Sequence, residues 1–146
     1  MKSKLLHRTE NSTEYAIVFD TVDEFVEGLT EFAKELRLDA SHFTAIGGFS
    51  TATLGYFDVD AKEYRKIPVK EQVEVLSLVG DIAFDKENGE PKVHAHVVLG
   101  RVDGSTVGGH VMKAEVRPTL EIVLEESPEH LKRVHDPKTG LALIEL

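Results

Sequence analysis

One helix-length apolar stripe, followed only by strand-length segments, limits what this chain can fold into. Val22, Phe25, Val26, Leu29, Phe32, Ala33 and Leu36 recur at steps of 3, 1, 3, 3, 1 and 3. That spacing lines one face of a helix of about four turns. Thr21 and Glu24 read as a capping box, with Thr21 at the N-cap and Glu24 at N3. Lys34 and Arg37 fall near the far end, where the helix dipole favours cations. Gly28 interrupts the helix at a cost of up to about 1 kcal/mol. A close helix-on-sheet contact and an incidental surface position both account for it.

Everything else reads as strands and turns. Residues 15–19 are a short apolar strand before the helix. Beyond Leu38, residues 41–49, with a Gly47-Gly48 break, and 51–59 form two strands. Residues 63–69 form a polar one, in which Pro68 marks an edge or a bulge. Residues 73–79, 91–99, 107–112, 115–124 and 141–144 complete the set. Asn88-Gly89 is the strongest hairpin signal. Ser127 and Pro128 open a short helical turn. The connections between neighbouring strands are too short for crossover helices, so the sheet is expected to be largely antiparallel. The expected fold class is α/β of the α+β type: a curled sheet packed with one long helix and short helical turns. Residues 1–146 are read as one domain with its core at about 12–125. Residues 76–79 and 97–99 are apolar on both faces, and one helix covers only one face. Curling into a barrel and packing on a neighbouring subunit are both expected to cover the remainder.

Composition removes several function classes. There is no cysteine, which excludes disulfides, thiolate metal sites and cysteine nucleophiles. The 26 acidic side chains outnumber 17 Lys and Arg, for a formal charge of −9. That opposes a mainly electrostatic grip on nucleic acid. No basic-then-apolar leader and no run of about 18 apolar residues is present. A cytoplasmic protein without a membrane segment is therefore expected.

Three of the seven histidines stand out by position. His94 and His96 are two apart on one strand and face the same way. His110 follows Gly108-Gly109 on the next strand, and a hairpin return of that length brings it beside the pair. Three imidazoles plus one open position is a common arrangement for zinc or another divalent transition metal. The plainer alternative is a hydrogen-bonded polar seam or a subunit contact. Glu74 and Glu115 are candidates for a carboxylate that orients an imidazole, and His42 is a possible additional ligand. An open metal position holding water would suit a metal-dependent hydrolase or lyase. No His-Glu-x-x-His, P-loop or nucleophile elbow accompanies it, and a purely structural ion is the simpler option. Lys62, Arg65, Lys66 and Lys70, with Tyr64 among them, offer possible phosphate contacts; an exposed strand protected by lysines explains them as well. His130, Lys132, Arg133 and His135 read as a solvated helix end.

The segments Phe43-Thr-Ala-Ile-Gly-Gly-Phe49, Ala52-Thr-Leu-Gly-Tyr56, Glu74-Val-Leu-Ser-Leu-Val-Gly80, His94-Ala-His96 and Gly108-Gly-His110 occur in this order. Together they resemble the plants-and-prokaryotes conserved (PPC) domain family over roughly residues 12–125. The resemblance implies a largely antiparallel α/β domain that assembles as a homotrimer. It also implies a metal site, zinc being the ion, on His94, His96 and His110. Plant relatives join the domain to AT-hooks, whose Arg-Gly-Arg-Pro core enters the minor groove. This chain has no such core, so a DNA-associated regulatory role has no support from that motif here.

Overall fold

The computed structural model describes residues 1–146. In chain order it contains β1 (Lys2–Arg8), β2 (Thr13–Asp20), α1 (Phe25–Leu36), β3 (Ala40–Asp58), β4 (Glu63–Val69), β5 (Val73–Asp85), β6 (Glu90–Gly100), β7 (Thr106–Glu126), β8 (Lys132–Asp136) and β9 (Leu141–Glu145). All nine strands join one sheet in the order β1-β2-β7-β3-β5-β8-β9. β4 pairs with β3, and β6 bridges β5 and β7. Every pairing is antiparallel except β5 with β8. The pairs β3–β5, β5–β6, β6–β7 and β7–β3 close on one another. The fold is the α+β arrangement that the sequence predicts, a curled and mainly antiparallel sheet with one long helix.

Two pairs of expected strands are each a single long strand. β3 runs 19 residues straight through Gly47-Gly48, and β7 runs 21. The glycine pair bends β3 without ending it. Gly47 has φ +147°, and the space a Cβ would need is taken by Thr119 and Leu120 of β7. The β3–β5 and β3–β7 registers both shift there. A bulge of this kind increases bending while pairing continues. The first half of β3 thus pairs with β5 and the second with β4.

The helix starts later than the capping box suggests. Val22 has φ +71° and is exposed, and the chain turns through Asp23, whose Oδ2 accepts from Asp20 N at 2.9 Å. Glu24 is the N-cap. One carboxylate oxygen accepts from Glu27 N at 2.6 Å and the other from Ala114 N at 2.8 Å, tying the helix start to β7. The hydroxyl of Thr21 donates instead to Pro118 O at 2.9 Å. Phe25, Leu29, Phe32 and Ala33 are buried. Phe25 packs against Phe19, Phe43 and Phe49 at centroid distances of 6.1, 6.2 and 6.3 Å. Burying each large side chain contributes about 1.5–3 kcal/mol. The core comprises 27 buried residues under this helix and inside the curl.

Two strands escape the apolar pattern. β1 is exposed along its length and pairs with β2 as an edge, with only Lys2–Asp20 and Arg8–Tyr15 side-chain contacts added to the backbone ladder. Residues 127–131 are irregular, with a bend at Pro128 and Glu129 in place of the expected helical turn. Their backbone is captured by the sheet: Ser127 N donates to Ala40 O, Leu131 N to Asp39 O, and Phe84 N to Leu131 O. That leads into β8, where a solvated helix end was expected.

On the sheet face opposite α1, Ile46, Leu76, Val79 and Val123 are 48–62% exposed. They border a shallow groove of about 470 Å³ with Ala16, Val18 and Thr44. No helix is long and apolar enough to cross a membrane.

Gly28 is a contact glycine: a Cβ there would stand 2.5 Å from Phe19 Cε1. Helix propensity alone favours Gly28→Ala by about 0.5–1 kcal/mol. The fully buried Phe19 ring reverses that sign, since overpacking costs about 1–3 kcal/mol. Urea unfolding is expected to show a destabilised variant; a stabilised one would contradict this packing.

Candidate metal centre

The three histidines are brought together by strand pairing. His94 and His96 lie on β6, and His96 is the direct partner of His110 on β7. The ring centroids are 5.0 Å apart for His94–His96, 5.3 Å for His94–His110 and 5.6 Å for His96–His110. One nitrogen from each ring lies within 4.8 Å of the others. This is a candidate metal-binding cluster of three imidazole donors. Zinc–imidazole bonds of about 2.0–2.1 Å require only small ring movements to converge.

The glycines around the cluster serve close approach. A Cβ on Gly109 would fall 2.9 Å from Gly55 O, and one on Gly108 2.8 Å from Val97 O. β7 therefore lies tightly between β3 and β6. Gly55 pairs with His110 on one side and Lys66 on the other. Its missing side chain leaves room for Tyr64, whose Cδ1 would be 2.6 Å from a Cβ there. The Tyr64 ring stacks on His110 at 4.9 Å.

His94 is oriented by two groups that sequence reasoning missed. Asp81 is its cross-strand partner on β5, with Oδ2 3.2 Å from His94 Nδ1. Arg133 from β8 donates through Nη2 to Asp81 Oδ1 at 2.6 Å and through Nη1 to Ala142 O at 3.0 Å. Arg133 Nη2 also lies 3.1 Å from His94 Nδ1. An unprotonated Nδ1 would turn its lone pair toward the Asp81 carboxylate. We therefore assign the proton to Nδ1, which donates to Asp81 and leaves Nε2 free as a ligand. A carboxylate behind an imidazole is a common outer partner of metal ligands. Burial opposes charge on Asp81, but the hydrogen bonds and charges of His94 and Arg133 outweigh it and hold its pKa below the usual range. The sequence offered only the alternation that puts Asp81 opposite His94. Arg133 carried no local signal.

Burial and neighbouring positive charge also set the other two rings. His110 is pushed down to about 4, first by burial and then by His94, His96, Lys92 and Arg133. His96 is lowered as well, by burial and then His94, against an opposing pull from Asp81. Both are neutral near pH 7, the form that binds a metal. His110 Nδ1 is buried with no hydrogen-bond partner, and a metal ion is one acceptor for such an orphaned lone pair.

The remaining expected residues stand outside the cluster. His42 pairs across the sheet with Asp81, but its Nε2 lies 3.7 Å from Glu125. Glu115 accepts from Ser50 Oγ at 2.7 Å. Glu74 is exposed and opposite Gly100. Asp81, not Glu74 or Glu115, contacts the imidazole. In the basic group, Arg65 pairs with Asp58 and Lys62 donates to Pro137 O at 2.9 Å. Lys66 and Lys70 are exposed. A cleft of about 280 Å³ opens beside the cluster, lined by Tyr64, Lys92, Val93, His94, His110, Arg133 and the 140–143 segment.

The Plants and Prokaryotes Conserved (PCC) domain model matches residues 7–128. A solved structure described as a metal-containing protein from Archaeoglobus fulgidus is 35% identical, covering 91% of this chain and 93% of its own, with a TM-score of 0.83. A plant- and prokaryote-conserved (PPC) protein from Pyrococcus horikoshii is 33% identical over 99% of this chain and 95% of its own, with a TM-score of 0.85. A candidate DNA-binding protein from Ralstonia eutropha JMP134 is 27% identical over 90% of each chain, with a TM-score of 0.83. No curated protein matches the chain.

The lowered His110 pKa fixes the sign of a pH dependence. Between the ordinary 6.5 and about 4, the unfolded chain holds more protons on this ring than the folded one. Its contribution is complete above pH 6.5 and is lost as pH falls toward 4. Urea titrations of metal-free protein across this window are expected to show falling stability, with a shallower fall in His110→Gln. Equal slopes in both proteins would contradict the assignment.

Proposed function

This chain belongs to the Plants and Prokaryotes Conserved domain family, and from that premise we propose that it is a cytoplasmic, homotrimeric metal-binding protein. Residues 1–146 act as one domain. His94, His96 and His110 hold one zinc ion or another divalent transition metal. The observation that carries this reading is the convergence of three imidazoles from two paired strands. Nδ1 of His94 is anchored by Asp81, and His110 keeps a buried nitrogen without a partner. The similarity to a metal-containing protein at 35% identity supports it.

His94 and His96 project from one strand and supply a two-point grip. His110 approaches from β7, and Tyr64 stacked on it limits its rotation. Arg133 fixes Asp81, and Asp81 fixes the His94 tautomer. A divalent ion there supplies Lewis acidity toward an oxygen in its remaining position. The adjoining cleft favours a second reading, a metal-dependent hydrolase or lyase, over a sealed structural ion. A DNA-associated regulatory role is the weaker alternative. The similarity to a candidate DNA-binding protein meets a net charge of −9 and a basic group partly engaged by Asp58 and Pro137.

The homotrimer is supported by the apolar face opposite α1. Ile46, Leu76, Val79 and Val123 lie together across β3, β5 and β7, and copies of this surface would cover one another.

Elemental analysis of purified protein is expected to find one zinc-class ion per chain. His96→Ala is expected to lose it, while Asp81→Asn weakens binding by roughly 10–100-fold. Full metal content in His96→Ala would overturn the ligand set. Native mass spectrometry is expected to give three chains, and Ile46→Asp is expected to shift the assembly to monomer. A trimer unaffected by that charge would move the interface elsewhere.

A further inference from the structure

The cleft beside the histidines has a charge balance that constrains its occupant. Two cations line it, and each already has a carboxylate. Arg133 is held by Asp81 at 2.6 Å, and Lys92 by Asp85 at 3.2 Å. These pairs cancel. A divalent ion on three neutral imidazoles then adds two uncompensated positive charges to a partly buried site. Asp81 cannot answer them without releasing Arg133, whose side chain is 8% exposed and whose Nε already lacks a partner. Removing one partner from a buried pair costs several kcal/mol, roughly 3–5. The protein therefore supplies no anionic ligand of its own, and an anion from solution would balance the charge in the open position.

The remaining walls say what carries that charge. Val93, Leu141, Ala142 and Leu143 are apolar, and the Tyr64 ring closes one side. About 280 Å³ lies at the small end of ligand pockets. A phosphate would leave the apolar wall uncovered, whereas a short hydrocarbon chain on a carboxylate would cover it.

We propose that this cleft binds a short-chain aliphatic carboxylate, its anionic head toward the ion on His94, His96 and His110 and its tail against residues 141–143. This inference rests on the metal reading above and names the ligand class of the same site. Lys92 neutralises Asp85, whose bare carboxylate would repel an anion, and Arg133 fixes both Asp81 and the cleft wall.

The test uses cobalt(II) in the full chain, with propionate as probe and propionamide as its neutral isostere. Cobalt content is measured first. Propionate is expected to change the visible cobalt spectrum saturably, and propionamide is expected to leave it unchanged. Lys92→Gln is expected to keep its cobalt and to weaken propionate binding about two- to fivefold, the worth of a partly exposed charge. Bound cobalt with no response to propionate, or an equal response to propionamide, overturns the carboxylate proposal alone. Failure to bind cobalt at all overturns the metal reading and this inference with it.

Discussion

The pairing of β6 with β7 is the constraint on which the rest depends. Without it the sheet is an open ribbon, and His110 has no fixed relation to His94 and His96. The turn between the strands is short: Arg101 N donates to Ser105 O, and Gly104 N to Arg101 O. From there the ladder runs through Leu99↔Val107 and Val97↔Gly109 to His96↔His110. The same ladder closes the β3–β5–β6–β7 ring, burying Val97 and Leu99 inside it. Core formation and site formation are therefore one event. Side chains alternate across a strand, so burying Val97 turns His96 outward, and burying Ala95 turns His94 outward beside it.

This arrangement separates two surfaces by face. The inner face belongs to α1 and the phenylalanines. The outer face carries the histidine cluster at one side and the Ile46–Leu76–Val79–Val123 patch at the other. Val79 pairs directly with His96, so the two regions adjoin. In the proposed trimer, covering the apolar patch would raise the burial of the metal site's edge. A lower local dielectric strengthens charge interactions there, which ties assembly to the chemistry of the site.

What the sequence made legible was local. The Phe25–Leu29–Phe32–Ala33 helix face, the Asn88-Gly89 hairpin and the two-residue spacing of His94 and His96 follow from periodicity and turn chemistry and stand in the structure, whereas Val22 and Leu36 fall off that face. The length of the hairpin return is what brings His110 beside the two histidines, as the sequence suggests. What was hidden depends on partners far along the chain. Glu24 caps the helix because Val22 adopts a positive φ that no local pattern announces. Arg133 looks like an ordinary surface cation until β8 pairs with β5 at Asp85 and buries it against Asp81. Gly47-Gly48 reads as a stop because glycine does end strands. Only the backbone of β7, pressed against Gly47, shows that the chain bends and continues.

The central claim is that three imidazoles share one ion. X-ray absorption at the metal edge of the zinc-loaded protein tests it most directly. The account predicts a first shell with three imidazole nitrogens at about 2.0–2.1 Å and one further light atom, with the outer-shell scattering that imidazole rings produce. A shell of oxygens alone, or a single imidazole, would contradict it.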